Sequence, residues 1–214
     1  MSHTICENIK QIKDEIGNTQ LVVVSKYRNL EELQIVYDCG HRHFGENRVQ
    51  ELVDKYESLR KDIKWHVIGH LQTNKVKYIA PFVHLIHSVD SLKLLRTINK
   101  EAKKNNRIIE FLFQLHVAQE ETKYGLKPSS LLPILNSDEY HEMNNVKCRG
   151  IMGMATNTED VKIVEREFNE LHTIYSSQKD QNEWNILSMG MSNDYQTALK
   201  SNSTMIRVGS KIFN

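Results

Sequence analysis

Short runs of consecutive apolar residues alternate along this chain with longer stretches whose apolar residues recur every three or four positions. Ile5, Ile9, Ile12 and Ile16 hold helical spacing, and LVVVSK at 21–26 then reads as a buried, β-branched strand. Leu30, Leu33 and Tyr37 predict a second helix, closed by Gly40 where a left-handed cap belongs. A brief strand at His43-Phe44 leads into a helix with Val49, Leu52, Val53, Tyr56 and Leu59 on one face. WHVIG (65–69) is followed by a polar helical stretch at 73–79, and VHLIHS (83–88) precedes a helix capped by Asp90 or Ser91. EFLFQLHV (110–117) is strand-like and is followed by a looser segment, then by KCRGIMGM (147–154). Thr156 and Glu159 have capping-box spacing before a helix carrying Val161, Val164, Phe168, Leu171 and Ile174. ILSMG (186–190), a helix near 193–200, and MIRVG (205–209) complete the pattern.

Regular alternation of strand and helix implies a parallel sheet with its helices outside. Eight strand candidates predict an α/β fold, a closed (β/α)₈ barrel in a single domain over residues 1–214, with one extra helix in front. No residues remain after the eighth strand for its own helix, so the N-terminal helix is expected to cover that wall. An open doubly wound sheet is the alternative, but no G-x-G-x-x-G follows the first strand.

Composition narrows the function classes. The 28 basic and 27 acidic residues leave a net charge of +1, which removes the broad electrostatic case for a nucleic-acid partner. No apolar stretch is long enough to span a bilayer, so no membrane role is predicted. Three widely spaced cysteines, Cys6, Cys39 and Cys148, with no C-x-x-C pair, predict a reduced, cytoplasmic protein without disulfides. No long apolar stripe is left over once the barrel helices are satisfied, which predicts a monomer.

In such a barrel the chemistry sits at the C-terminal strand ends. Those ends carry Ser25-Lys26, Gly45-Glu46-Asn47, His70, Ser88, His116, Met154, Ser188-Met189-Gly190 and Arg207-Val208-Gly209. Lys26 follows four apolar residues. It is either a surface lysine at a strand exit or an amine held to form a Schiff base with an aldehyde. Ser192 in SMGMSND (188–194) is either a helix cap or part of an anion cradle, since loops after strands seven and eight favour phosphate. Arg207 on the last strand requires an anion, a carboxylate or a heterocycle nitrogen, and Gly209-Ser210 can present backbone N–H groups. A lysine on one strand, a phosphate cradle after the seventh and eighth, and an arginine between them describe a pyridoxal phosphate pocket.

VSK (24–26), HFGENRVQE (43–51), WHVIGHLQTNK (65–75), HSVDS (87–91), GIMGMA (150–155), LSMGMSNDYQTAL (187–199) and STMIRVG (203–209) run in order through nearly the whole chain. Together they resemble the pyridoxal phosphate homeostasis proteins, single-domain relatives of the alanine racemase barrel. The resemblance implies a TIM-type barrel carrying pyridoxal 5'-phosphate on Lys26. It also implies ring contacts from Asn47 and Met189, phosphate contacts from Ser192 and the Gly209-Ser210 backbone, and Arg207 near the pyridine nitrogen. Asn202 stands where the family has glycine before Ser-Thr, and asparagine tolerates the positive φ such a turn needs.

Two features favour a carrier over an enzyme. No second domain remains to supply a catalytic base, and an arginine at the pyridine nitrogen leaves it unprotonated and weakens the ring as an electron sink. The expected role is binding of the cofactor in vitamin B6 homeostasis without strong catalysis, with apo forms of pyridoxal-phosphate enzymes as acceptors. A weak racemase using His70 or Tyr195, and a cofactor-free Schiff-base aldolase, are the alternatives. Six of the ten histidines pair, at 41/43, 66/70 and 84/87, but no carboxylate or cysteine completes a ligand set, and no metal site is predicted. Glu120, Glu121 and Lys123 are placed on a loop near the barrel mouth, and Cys148 in the core.

Overall fold

The computed structural model describes residues 2–214. Eight parallel strands close into a barrel in the order β1 to β8: Gln20–Val24, His43–Glu46, Lys64–Val67, Leu85–Val89, Ile109–Leu115, Val146–Gly153, Ile186–Met191 and Met205–Val208. β1 pairs with both β2 and β8, which closes the ring and leaves no free sheet edge. Every strand read from the sequence is present. Strands of a parallel barrel are covered on both faces, so their apolar runs are nearly continuous and easily seen.

The helices form the outer wall: α1 (Ser2–Ile16), α2 (Leu30–Asp38), α3 (Val49–Ser58), α4 (Val76–Ile79), α5 (Leu92–Lys104), α6 (Pro128–Leu135), α7 (Asp138–His141), α8 (Val161–Asn182), α9 (Tyr195–Lys200) and α10 (Ser210–Phe213). The layer between sheet and helices is strongly apolar, with Phe44, Trp65, Phe111, Phe113 and Phe168 fully buried. Each such side chain contributes about 1.5–3 kcal/mol relative to exposure. The barrel interior is different. Val22, Leu85, Leu112, Met152 and Met205 form a small apolar cluster there. Beside it, the fully buried His66, His87 and Ser188 and the almost fully buried Arg207 place polar atoms in the same space.

Local signals held at several positions. Gly40 has φ +81° after α2, Ser91 caps α5 by accepting the Leu94 N–H at 3.3 Å, and Asn202 adopts φ +59° as its place before Ser203-Thr204 predicts. Others are corrected. The segment after β5 is not simply loose but contains α6 and α7, the first opened by Pro128. Asp160, not Thr156, caps α8, because Thr156 is committed to Glu167 on that helix through N–H (2.7 Å) and hydroxyl (2.8 Å) donors. One helical turn, α10, does follow β8, and α1 packs across both it and α2.

The cysteine expectation is also corrected. α1 lies against α2, and Cys6 and Cys39 are joined by a disulfide with their Cα atoms 5.5 Å apart. Thirty-three positions separate them in sequence, so only the helix packing brings them together. Cys148 is buried and unbonded, as predicted. Among the described residues no helix is long and apolar enough to cross a membrane.

Candidate functional site

Lys26 lies two residues beyond β1, where the chain turns through Tyr27 at φ +64°. Its side chain is exposed and lines a cleft of about 1040 Å³ at the C-terminal end of the barrel. The backbone before it is held rigidly. Lys55, buried on the inner face of α3, donates to the Ser25 carbonyl at 2.8 Å and to Glu46 Oε1 at 2.6 Å. The Ser25 hydroxyl donates to the same carboxylate oxygen at 2.6 Å. Burial pushes the Glu46 carboxyl up, against the opposing pull of Lys55 and Ser25. The ends of β1 and β2 are therefore tied through one buried ion pair, and the lysine amine projects from a fixed base.

The opposite wall comes from the exits of β7 and β8. The Gly209 N–H donates to the Ser192 hydroxyl at 3.2 Å, bringing the two loops together. Gly190 at φ +97° lets β7 turn tightly, and a Cβ there would stand 2.6 Å from that of Ala198. Asp194 accepts the Met191 N–H at 2.5 Å, while burial raises its carboxyl. Ser192, Asn193, Asp194 and Ser210 line the cleft with Lys26. Lys26, Gly209 and Ser210 also line an adjoining depression of about 370 Å³.

Beneath the mouth, Arg207 donates to the Ser188 hydroxyl at 2.6 Å and to the Gly153 carbonyl at 3.2 Å. Burial lowers its guanidinium to about 10, which leaves it cationic at neutral pH. Ser188 lies 3.0 Å from His87 Nδ1, His87 Nε2 lies 2.9 Å from His66 Nδ1, and His66 Nε2 lies 2.9 Å from His43 Nδ1. Burial pushes both His66 and His87 well below the ordinary histidine range. A line of neutral imidazoles thus crosses the barrel interior from β2 to β7.

The third wall joins the β5 and β6 loops. Lys123 donates to the Ala155 carbonyl at 2.8 Å and pairs with Glu120 at 2.8 Å. Glu120 also accepts the Asn157 N–H at 3.0 Å, and the Gln119 N–H donates to Thr156. Lys123, Thr156 and Asn157 line the cleft, so the loop placed near the mouth from sequence does reach it.

Of the residues read as cofactor contacts, Lys26, Ser192, Gly209 and Ser210 converge, and Arg207 is buried behind Ser188. Met189 does not line the cleft. It is fully buried in the sheet–helix layer, because β7 alternates and Ser188 takes the inward place; Met191 lines the cleft instead. Asn47 is half-buried after β2, packed so closely on Gly69 that a Cβ there would meet its carbonyl at 2.5 Å. Tyr195 points away, its hydroxyl donating to Glu15 on α1 at 2.5 Å, which removes it as an in-barrel base. His70 pairs with Asp90 at 3.2 Å and stacks on Tyr124. The Glu46–Lys55 pair and the Thr156–Glu167 anchor were not anticipated, since each partner reads alone as an ordinary charged or polar residue.

The family model for the N-terminal domain of alanine racemase matches residues 2–214. A pyridoxal phosphate homeostasis protein of Aquifex aeolicus is 39% identical over 98% of this chain and 94% of its own. The chain belongs to the pyridoxal phosphate homeostasis proteins of this family. A second relative of that name, from Schizosaccharomyces pombe, is 36% identical over 92% of this chain and 84% of its own. PipY of Synechococcus elongatus, solved without and with PLP, is 30% identical and covers 98% of this chain and all of its own, with TM-scores of 0.92 and 0.89. An alanine racemase of Clostridium difficile shares only 13% identity and 56% of its length, at TM-score 0.83, and shows the common barrel alone. The fold and family expected from the ordered motifs are those found.

Proposed function

We propose that this homeostasis-family chain binds pyridoxal 5'-phosphate in the cleft at the C-terminal end of its barrel. Lys26 supplies the amine for covalent attachment to the aldehyde. One observation carries the reading: Lys26, Ser192 and Ser210 line a single cleft although 166 positions separate Lys26 from Ser192. The donor set fits the group. Ser192, Ser210 and the backbone at Gly209 offer neutral hydroxyl and N–H donors to a phosphate, and Arg207 is a buried cation able to face a pyridine nitrogen. PipY, with PLP bound in its structure, supports the assignment. When bound, the cofactor would supply an electron-withdrawing ring and an exchangeable aldehyde.

The chain's own residues do the holding. Glu46 and Lys55 fix the backbone that presents Lys26, and Asn47 at the β2 exit would contact the ring, as the family resemblance implies. Arg207 is a donor and not an acid, so it does not protonate the ring nitrogen. With Tyr195 turned outwards, we read the protein as a monomeric carrier without strong catalysis, passing cofactor to apo enzymes. Its relatives are named for homeostasis and not for a reaction.

Adding pyridoxal phosphate to the purified chain is expected to give a yellow protein that borohydride bleaches, with the reduced adduct mapped to the Lys26 peptide. Lys26→Ala is expected to stay colourless. An adduct on another lysine would overturn the assignment. Rapid α-proton exchange of single-enantiomer amino acids in deuterated water would replace the carrier by an enzyme.

A further inference from the structure

The end of the barrel opposite the cleft holds a second constellation. His43 opens β2, His66 lies on β3, and His84 immediately precedes β4, so neighbouring strands bring three imidazoles to the N-terminal mouth. One ring nitrogen from each lies within 4.8 Å of the others. The ring centroids are 5.2 Å (His43–His66), 5.3 Å (His66–His84) and 5.6 Å (His43–His84) apart. Three imidazoles on one tetrahedral ion, with metal–nitrogen distances of about 2.0–2.1 Å, have centroids about 5 Å apart. We propose that His43, His66 and His84 form a binding site for a divalent cation of the zinc type.

The burial of the three rings suits that role. His66 is fully buried, whereas His43 and His84 are half-buried and can close on an ion while leaving the fourth position to water. The deep ligand is already oriented. His66 Nδ1 meets His87 Nε2, and His87 Nδ1 meets the Ser188 hydroxyl, so Nδ1–H donation along this line leaves the His66 Nε2 lone pair facing the mouth. Metal-bound histidines are characteristically held by such an outer hydrogen bond. The 2.9 Å contact between His43 Nδ1 and His66 Nε2 contains one proton; the ion takes its place as His43 changes tautomer, the proton moving to its half-buried Nε2 so that the ring stays neutral.

The surrounding charges do not block entry. Lys13, Lys64 and Arg107 lie near the rings, but Arg107 is spent on the carbonyls of Ala80 (2.6 Å) and Val83 (2.7 Å), and the Glu110 carboxylate offsets part of their effect on His84. Sequence spacing hid the trio because it suggested the pairs 41/43, 66/70 and 84/87, whereas the barrel selects one member of each. Imidazole ligands suit zinc, copper or nickel and not magnesium or calcium.

The test uses untagged full-length protein, stripped with chelator and titrated with Zn²⁺ by calorimetry. One equivalent is expected to bind, and Co²⁺ in its place is expected to show the visible absorption of a four-coordinate ion. His43→Gln and His84→Gln are each expected to weaken Zn²⁺ binding by more than the roughly 10–100-fold that losing an outer partner costs. His3→Gln and His141→Gln, on the exposed surface, are expected to leave it unchanged. A readout needing no variant is the ring ¹⁵N spectrum of the wild-type chain, in which Zn²⁺ is expected to shift three buried or half-buried histidines. Absence of saturable binding, or shifts confined to His3, His141 and His172, would overturn the proposal.

Discussion

The Arg207 guanidinium and the His87 imidazole meet at one atom. Nη1 donates to Ser188 Oγ at 2.6 Å, and His87 Nδ1 lies 3.0 Å from that oxygen on the far side. The hydroxyl therefore separates a buried cation from a buried neutral ring. It also links the strand ends beneath the cleft to the histidines at the other mouth.

Removing that hydroxyl tests the link. Ser188→Ala leaves two buried polar groups short of a partner, and such a loss costs about 1–3 kcal/mol per group. Urea unfolding is expected to show a lower midpoint with an unchanged slope. An unchanged midpoint would mean that the interior does not depend on the serine.

The Glu46–Lys55 pair makes a larger prediction. Lys55→Met strands a carboxylate that is fully buried and already has one oxygen unpartnered, and breaking such a pair costs about 3–5 kcal/mol. Adding Glu46→Gln is expected to recover much of the loss. Burial raises the Glu46 pKa, so the folded state takes up its proton more readily than the unfolded chain. The Lys55→Met penalty is thus expected to grow as pH rises above the ordinary carboxylate range and to shrink below it, as read from unfolding at several pH values.

Glu120 gives the opposite sign. The Asn157 N–H and the Lys123 ammonium lower its carboxyl from 4.5 to about 2. Its stabilisation is present above pH 4.5 and lost as pH falls towards 2. The stability difference between the wild type and Glu120→Gln is expected to close over that window. A difference independent of pH would show that the loop contact is not electrostatic.

The bond between Cys6 and Cys39 predicts redox-dependent stability. Closing a loop of this length restricts the unfolded chain, and its reduction is expected to remove about 2–4 kcal/mol and several degrees of Tm. Cys39→Ser is expected to match the reduced wild type and to be insensitive to reductant, as followed by thermal melts.

The order and number of strands were legible because a barrel strand buried on both faces is apolar throughout, and helices announce themselves by a periodic stripe. Lys26, Ser192, Arg207, Gly209 and Ser210 were legible as strand-exit residues once eight strands had been counted. α6 and α7 were obscured by Pro133 inside the first and by the shortness of the second. Met189, given only by the resemblance, is buried in the sheet–helix layer, and the register of β7 against β8 shifts between Ser188 and Met191.

The sequence by itself determined the alternating layers and the strand ends at which the cleft lies, since each follows from local periodicity and chain order, whereas the β1–β8 pairing closed the barrel. Tertiary structure alone decided which distant side chains share a proton, a charge or a sulfur bond. Glu46 with Lys55, Cys6 with Cys39, and His43 with His66 and His84 are joined by strand register and helix packing. Such pairings depend on separations of a few ångströms in space, which no spacing along the chain encodes.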